Sequence, residues 1–362
     1  DDVPTEWEFL RLISAYNAFK DADAISIGAL ANASFWQHFP LEKEYPQKWV
    51  THQELKEKGL LKNDGTVDIK GRNFLVFYVG DYDASSWVSQ CTPFIWDNPN
   101  RGKVPMMWAI SPVLQERVPH VLHNFRKTAT KNDYFVSADN GAGYLSPGML
   151  QEPRGISGLS SGLQAWSNHC KPYYKRWGLS ITGFIVDGYA PALNREGMEC
   201  YYSFSSNGVV PQHLPSDATL FADMPLLRAD YDVNDINPED AAKTIVNRIK
   251  ERKGIPFHWF RNILKDPTWY LQVVEELKKL DEKICLLDAP SFFELLRIYL
   301  DNNIPFAGGT GTEEDPFLIS TPQQFDCIRN YRNQCFRLMN APASSWQGSA
   351  LLCGTATPRL PV

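Results

Sequence analysis

No apolar run approaches the roughly 20 residues that a helix needs to cross a bilayer, so no membrane span is expected. No long basic run is present either. The 36 Lys and Arg against 42 Asp and Glu leave a net charge of −6. Phosphate backbones need a concentrated positive patch, so nucleic acid is not an expected partner. The 7 cysteines include no CxxC pair, which argues against a zinc ribbon. Their odd number leaves at least one thiol unpaired within the chain, and their use assigns no redox compartment. GxGxxG and GxxxxGK[ST] are both missing, so no nucleotide cofactor is expected. Without GxSxG an α/β-hydrolase is unsupported, and without HExxH so is a zinc protease. The 7 histidines are scattered. Only His120 and His123 stand at helical spacing, on what reads as a surface helix, and no metal site is expected. The opening DDVPTEWEFL does not read as a signal peptide. The expectation is a cytoplasmic chain, or one whose leader is not part of this sequence.

What is present is a repeated grammar. Apolar runs end in an acidic or polar residue, and a helical stretch follows. The runs are AISIGAL (24–30), NFLVFYVGDYD (73–83), VPMMWAIS (104–111), DYFVSADNG (133–141), ITGFIVDGY (181–189), MPLLRADYD (224–232), IPFHWF (255–260) and KICLLDAP (283–290). Nearly continuous apolar runs suit strands covered on both faces, as in a parallel sheet. Between them lie capped helices. Asn237 and Pro238 open one that Gly254 ends, and Asp266 and Pro267 open the next. Ser291 and Glu294 stand at capping-box spacing. Leu159, Leu163, Trp166 and Tyr173 mark a further helical face that Pro172 is expected to bend.

Strands alternating with helices imply an α/β domain. Carboxylates at the strand ends favour a (β/α) TIM-like barrel, complete or irregular, whose site gathers at the C-terminal ends of the strands. An open doubly wound sheet is the competing architecture. The grammar changes after Leu300, where a Gly/Thr-rich acidic stretch begins. The reading is therefore a barrel over residues 1–303 and a short appendage over 304–362, too small to bury much of a core alone.

The polar groups predicted at strand ends are Asp81, Asp83, Asp139, Asn140, Asp187, Arg228, Asp230, Asp232, His258 and Asp288. Carboxylates with a histidine and an arginine suit acid–base work on a polar substrate. Cleavage of a glycosidic bond needs two carboxyl groups across it. Each residue also has a plainer reading. Asp187 could satisfy a turn, Asp230 and Asp232 a solvated loop, His258 the core, and Asp288 an orienting role. The 11 Trp and 15 Tyr exceed what packing asks for, and aromatic faces stack on sugars.

The stretch DYFVSADNGAGYLSP (133–147) carries Gly141, Gly143, Tyr144 and Pro147. It resembles the motif that names the GxGYxYP family of putative glycoside hydrolases. GDYDASSW (80–87), GKVPMMWAISP (102–112), GFIVDGYAP (183–191), RADYDVND (228–235) and IPFHWFRN (255–262) extend the likeness over roughly residues 20–300. Ser146 stands where the motif has its second tyrosine. The resemblance implies a sugar-cleaving barrel of a Bacteroidetes type. The residues GTGTEEDPFLISTPQQFDCIRN resemble the first rung of bacterial surface β-helix repeats, which implies a secreted, periplasmic or cell-surface protein.

The expectation is thus a glycoside hydrolase acting on an oligo- or polysaccharide. Asp187 with Asp230 or Asp232 form the expected carboxyl pair, and Asp139 is a further catalytic candidate. Asp81 and Asp83 position substrate. Asn140 and Tyr144 face it from the glycine turn, and Trp87, Trp108 and Trp259 are stacking platforms. Arg228 restrains charge, His258 bonds sugar hydroxyls, and Asp288 supports the site. The alternatives are a metal-dependent deacetylase and a noncatalytic carbohydrate-binding protein.

Overall fold

In the computed structural model, the described residues are 5–20, 32–82, 84–184, 186–215, 217–252, 254–328, 331, 334–339 and 351–353. The first helix, α1 (Thr5–Ala15), precedes two short ones, α2 (Ala33–Trp36) and α3 (His52–Glu57). Strand β1 (Asn73–Tyr82) is followed by α4 (Thr92–Trp96), β2 (Met106–Ile110), α5 (Pro119–Thr128) and β3 (Asp133–Val136). Then come α6 (Leu163–Trp177), β4 (Ile181–Thr182), α7 (Arg195–Tyr202) and β5 (Gly208–Val209). The hairpin β6 (Ala218–Phe221) and β7 (Met224–Leu227) leads into β8 (Tyr231–Asp232) and α8 (Pro238–Glu251). Strand β9 (Phe257–Ile263), α9 (Pro267–Leu280), β10 (Ile284–Leu286) and α10 (Ala289–Asn302) complete the main body. A small third group holds β11 (Phe317–Ile319), α11 (Pro322–Cys327), β12 (Cys335–Leu338) and β13 (Leu351–Cys353).

The caps are largely as the sequence predicts. Asn237 accepts from the Glu239 amide, and Asp266 from the Trp269 amide. For α10 the structure differs. The cap is Asp288, accepting from the Ser291 amide, because Ala289 and Pro290 already take helical positions. Glu294 turns inward to Arg297, His52 and Trp49 instead of closing a capping box. Pro172 sits inside α6, which runs unbroken to Gly178.

The first sheet is parallel, in the order β3-β2-β1-β9-β8, with β10 joining β1 at Asn73–Leu75. The second has the order β4-β5-β7-β6, parallel except for the β6–β7 hairpin. The core is thus a mixed α/β body on parallel strands. Alternate β1 residues face opposite ways. Leu75, Phe77 and Val79 pack with the helices, including Tyr270 and Val273 of α9. Phe74, Val76 and Tyr78 pack with Met107, Val136, Ile181 and Trp259. Both faces are buried, which is why the strands read as continuous apolar runs.

Two pairings link the sheets. Ser137 bridges Thr182 in parallel, joining the end of β3 to β4. The run 224–232 pairs with β5 at Leu226 and with β9 at Tyr231–Asp232. Among the described residues, no helix is long and apolar enough to cross a membrane. The third sheet has its own small core of Phe306, Phe317, Ile319, Tyr331 and Phe336. It touches the main body where Gln334 donates to the Leu220 carbonyl at 3.3 Å.

Candidate active site

Because the strands run parallel, residues that follow them share one rim. Asp139 and Asn140 follow β3, Phe184 and Asp187 follow β4, and Asp232 ends β8. Arg261 lies on the inward face of β9, two residues after Trp259. Its Nε donates to Asp232 Oδ1 at 2.8 Å and its Nη2 to Oδ2 at 2.5 Å. The guanidinium stands 4.2 Å above the Phe184 ring, and Phe184 in turn stacks on Trp259 at 5.9 Å. A carboxylate from β8, a cation from β9 and a ring from the β4 loop therefore meet at the rim. The Asp232 side chain keeps 37% of its exposure, so a ligand can reach it.

Asp139 is buried and left-handed at φ 54. The turn after it is closed by Asn140, whose amide donates to the Leu145 carbonyl and whose carbonyl accepts from Tyr201 Oη at 2.7 Å. Burial pushes the Tyr201 phenol far up, and Tyr174, Cys170, Asp187 and Asp139 add to it, so it stays a neutral donor. The glycines of this turn admit protein rather than ligand. A Cβ on Gly141 would stand 2.9 Å from Cys170 Sγ, and one on Gly143 2.3 Å from Phe19 Cδ2. Tyr144 is only 4% exposed, with Trp7 edge-on at 6.2 Å. Its ring is covered, not displayed.

Asp187 is buried and its carboxylate accepts from three backbone amides. Gln212 N lies at 2.8 Å, His213 N at 3.1 Å and Leu214 N at 2.7 Å. Burial pushes this carboxyl up, and the amides oppose the shift. Asp187 therefore clamps the loop after β5. An apolar cavity of about 80 Å³ lies beside it, bordered by Leu193, Met198, Leu214, Phe221 and Tyr331. Asp187, Thr219 and Gln334 bring polar side chains to its lining.

Asp230 immediately precedes β8, two residues before Asp232. It accepts from the Trp259 amide at 2.6 Å and pairs with Arg252, which also binds Asp217. Burial raises its carboxyl to about 6 although Arg252 pulls it down. His258 is buried 3.9 Å from Asp230, with Nε2 3.2 Å from Asn73 Oδ1. Burial, with Arg252 nearby, lowers His258 to about 3, so the ring is neutral. This network ties the starts of β1 and β9 to the β6 hairpin.

The remaining expectations divide in the same way. Trp108 is a core residue whose Nε1 donates to Asp133 at 2.8 Å, and Trp259 is wholly buried under Phe184. Neither is a surface platform, since Trp108 packs on the helix side of the sheet and Trp259 on its other face. Trp87 is half-buried in a π turn against the helical core. Arg228 is exposed, and the cations that meet Asp230 and Asp232 are Arg252 and Arg261. Asp288 caps α10 and pairs with Lys58 at 2.9 Å. The Asp81 side chain, all of Asp83 and the run 24–30 lie outside the described residues. His120 and His123 pack on Trp36 and Phe39. Among the described residues no group of three or more His, Cys, Asp or Glu could hold a metal ion. Arg261 and Phe184 are the residues that the sequence reading passed over. The period-2 alternation Phe257, Trp259, Arg261 carried the signal for the first.

Residues 71–297 match the family model described as GxGYxYP putative glycoside hydrolase C-terminal domain. The chain belongs to the GxGYxYP family. No curated protein matches it. A similar fold occurs in the crystal structure of a putative hydrolase from Bacteroides thetaiotaomicron VPI-5482. The TM-score is 0.60 at 15% identity, over 82% of this chain and 56% of that one. At that identity the likeness speaks for the fold alone, and this GxGYxYP chain spans about 56% of that protein's length. Asp139 and Arg261 both stand within the matched residues.

Proposed function

We propose that this chain is a glycosidase domain that cleaves an oligo- or polysaccharide by carboxylate chemistry at the C-terminal rim of its parallel strands. The observation that carries the reading is Asp232, held by both nitrogens of a guanidinium that rests on Phe184 and still open to solvent. A fixed and reachable carboxylate suits the base or nucleophile of glycoside hydrolysis. Asp139 and Asp81 are the candidates for its partner. Asp187 holds a loop, and Asp230 is tied to Arg252 and the Trp259 amide.

The same reading takes the core as an irregular (β/α) barrel. Its support is the Ser137–Thr182 bridge on one side and the run 224–232, which pairs with β5 and then with β9, on the other. A secreted or periplasmic location fits a glycan substrate. The disulfide-bonded Cys335 suits an oxidising compartment. Among the described residues no observation favours metal-dependent deacetylation.

Reducing-end release from a glycan panel tests the activity, with Asp232→Asn as the comparison. Hydrolysis by the parent and not by the variant supports the reading. Hydrolysis by both at one rate removes Asp232, and hydrolysis by neither removes the glycosidase.

A further inference from the structure

Residues 5–20 lie across both strand-end loops of the candidate site. Trp7 meets Tyr144 at 6.2 Å and Tyr189 at 5.2 Å, and a Cβ on Gly188 would stand 2.5 Å from its ring. Leu10 is fully buried in the cluster that holds Ala138 and Tyr144. Ser14 Oγ accepts from the Ser146 amide at 2.9 Å. Lys20 and Tyr144 exchange backbone hydrogen bonds at 2.8 and 2.9 Å. Phe19 fills the space that the missing Gly143 side chain leaves. One segment thus seals the Asp139–Tyr144 turn and touches the loop of Asp187.

We propose that residues 5–20 form a displaceable cover over this rim, and that a glycan reaches Asp139 and Tyr144 only when the cover lifts. The inference rests on the rim being the active site. Two features make it a cover rather than fixed core. First, one side chain supplies three of its hydrogen bonds to the body, beside those that Ser14 makes with Ser146 and Lys20 with Tyr144. Arg154 donates to the Ser14 and Ala15 carbonyls and to Asn17 Oδ1, the last at 2.6 Å. Cations belong at a helix C-terminus, where the carbonyls are unpaired. Second, α1 is apolar on both faces. On the helix Phe9 is 49% exposed and Leu12 44%, with Tyr16 just past its end at 60%, while Trp7 and Leu10 face inward. The present seat buries one face only, so leaving it costs the helix one apolar face and not two.

Two variants move the cover in opposite directions. In Ser14→Cys/Ser146→Cys, oxidised glutathione closes a disulfide between the cover and the turn. Arg154→Gln loosens the anchorage. Hydrogen exchange of the 139–147 amides and turnover of a glycan hydrolysed by the parent are both read. The expected result is at least tenfold slower exchange and turnover in the locked form, restored by reductant, and faster exchange in Arg154→Gln. A locked form that turns over at the reduced rate overturns the cover. If no glycan is hydrolysed by any form, the glycosidase reading fails by itself, and exchange still decides. Amides 139–147 that exchange alike in locked, reduced and loosened proteins overturn the inference. Should Arg154→Gln not fold, Trp7→Ala replaces it with the same expectation.

Discussion

Asp232 and Arg261 face each other across β8 and β9 through two parallel hydrogen bonds, at 2.8 and 2.5 Å. Fork-to-fork geometry of this kind fixes a carboxylate in direction as well as in charge. Asp232→Asn should lower turnover about 10²–10⁴-fold, the usual worth of acid–base catalysis. Arg261 is 15% exposed and Asp232 37%, and an asparagine oxygen can still accept from the guanidinium, so the fold should persist. Steady-state rates beside a thermal melt check both halves.

For Asp187 the expected effect is on stability. Asparagine offers one oxygen where three amides now converge. An unsatisfied buried amide costs about 1–3 kcal/mol. Asp187→Asn should therefore melt clearly below the parent. An unchanged melt with turnover abolished would return Asp187 to the catalytic pair.

The Asp230–His258 network should show opposing pH slopes. Asp230 titrates near 6 when folded, above its ordinary 3.8, so its contribution to stability is lost as pH rises between those values. His258 titrates near 3 when folded, below its ordinary 6.5, so its contribution grows as pH rises between those values. In the parent the two oppose each other from about pH 4 to 6. Asp230→Asn should leave stability rising with pH across this window, and His258→Gln should leave it falling. Urea unfolding at several pH values measures the slopes, and identical slopes in both variants would refute the assignment.

Gly143→Ala puts a methyl group 2.3 Å from Phe19 at φ 101. Strain at such a position costs about 1–3 kcal/mol. The loss should shrink in Gly143→Ala/Phe19→Ala, because the second change removes the obstructing ring. A double-mutant cycle of unfolding free energies measures the coupling.

A chain ending at Asn303 should keep the main unfolding transition. The third sheet has a separate apolar cluster and meets β6 through Gln334 and Tyr331. Calorimetry of the shortened chain reads this directly, and absence of a cooperative transition would show that the main body needs the appendage.

What the sequence by itself determined is local. Asn237 with Pro238 and Asp266 with Pro267 announced two helices, since a cap and a fixed φ act within four residues. The run NFLVFYVGDY read as a strand buried on both faces because alternate residues face different cores. The turn Gly141–Pro147 carried the family. Tertiary structure alone decided what each charge meets. Asp187 found amides 25 to 27 residues away, and Asp230 found Arg252 22 residues on. Asp232 found Arg261 at 29, and Arg154 found Ala15 at 139. Side chains that look alike in a strand-end pattern differ only through such partners. A carboxylate saturated by amides holds a loop, while one held by a guanidinium and left open to water can act on a substrate.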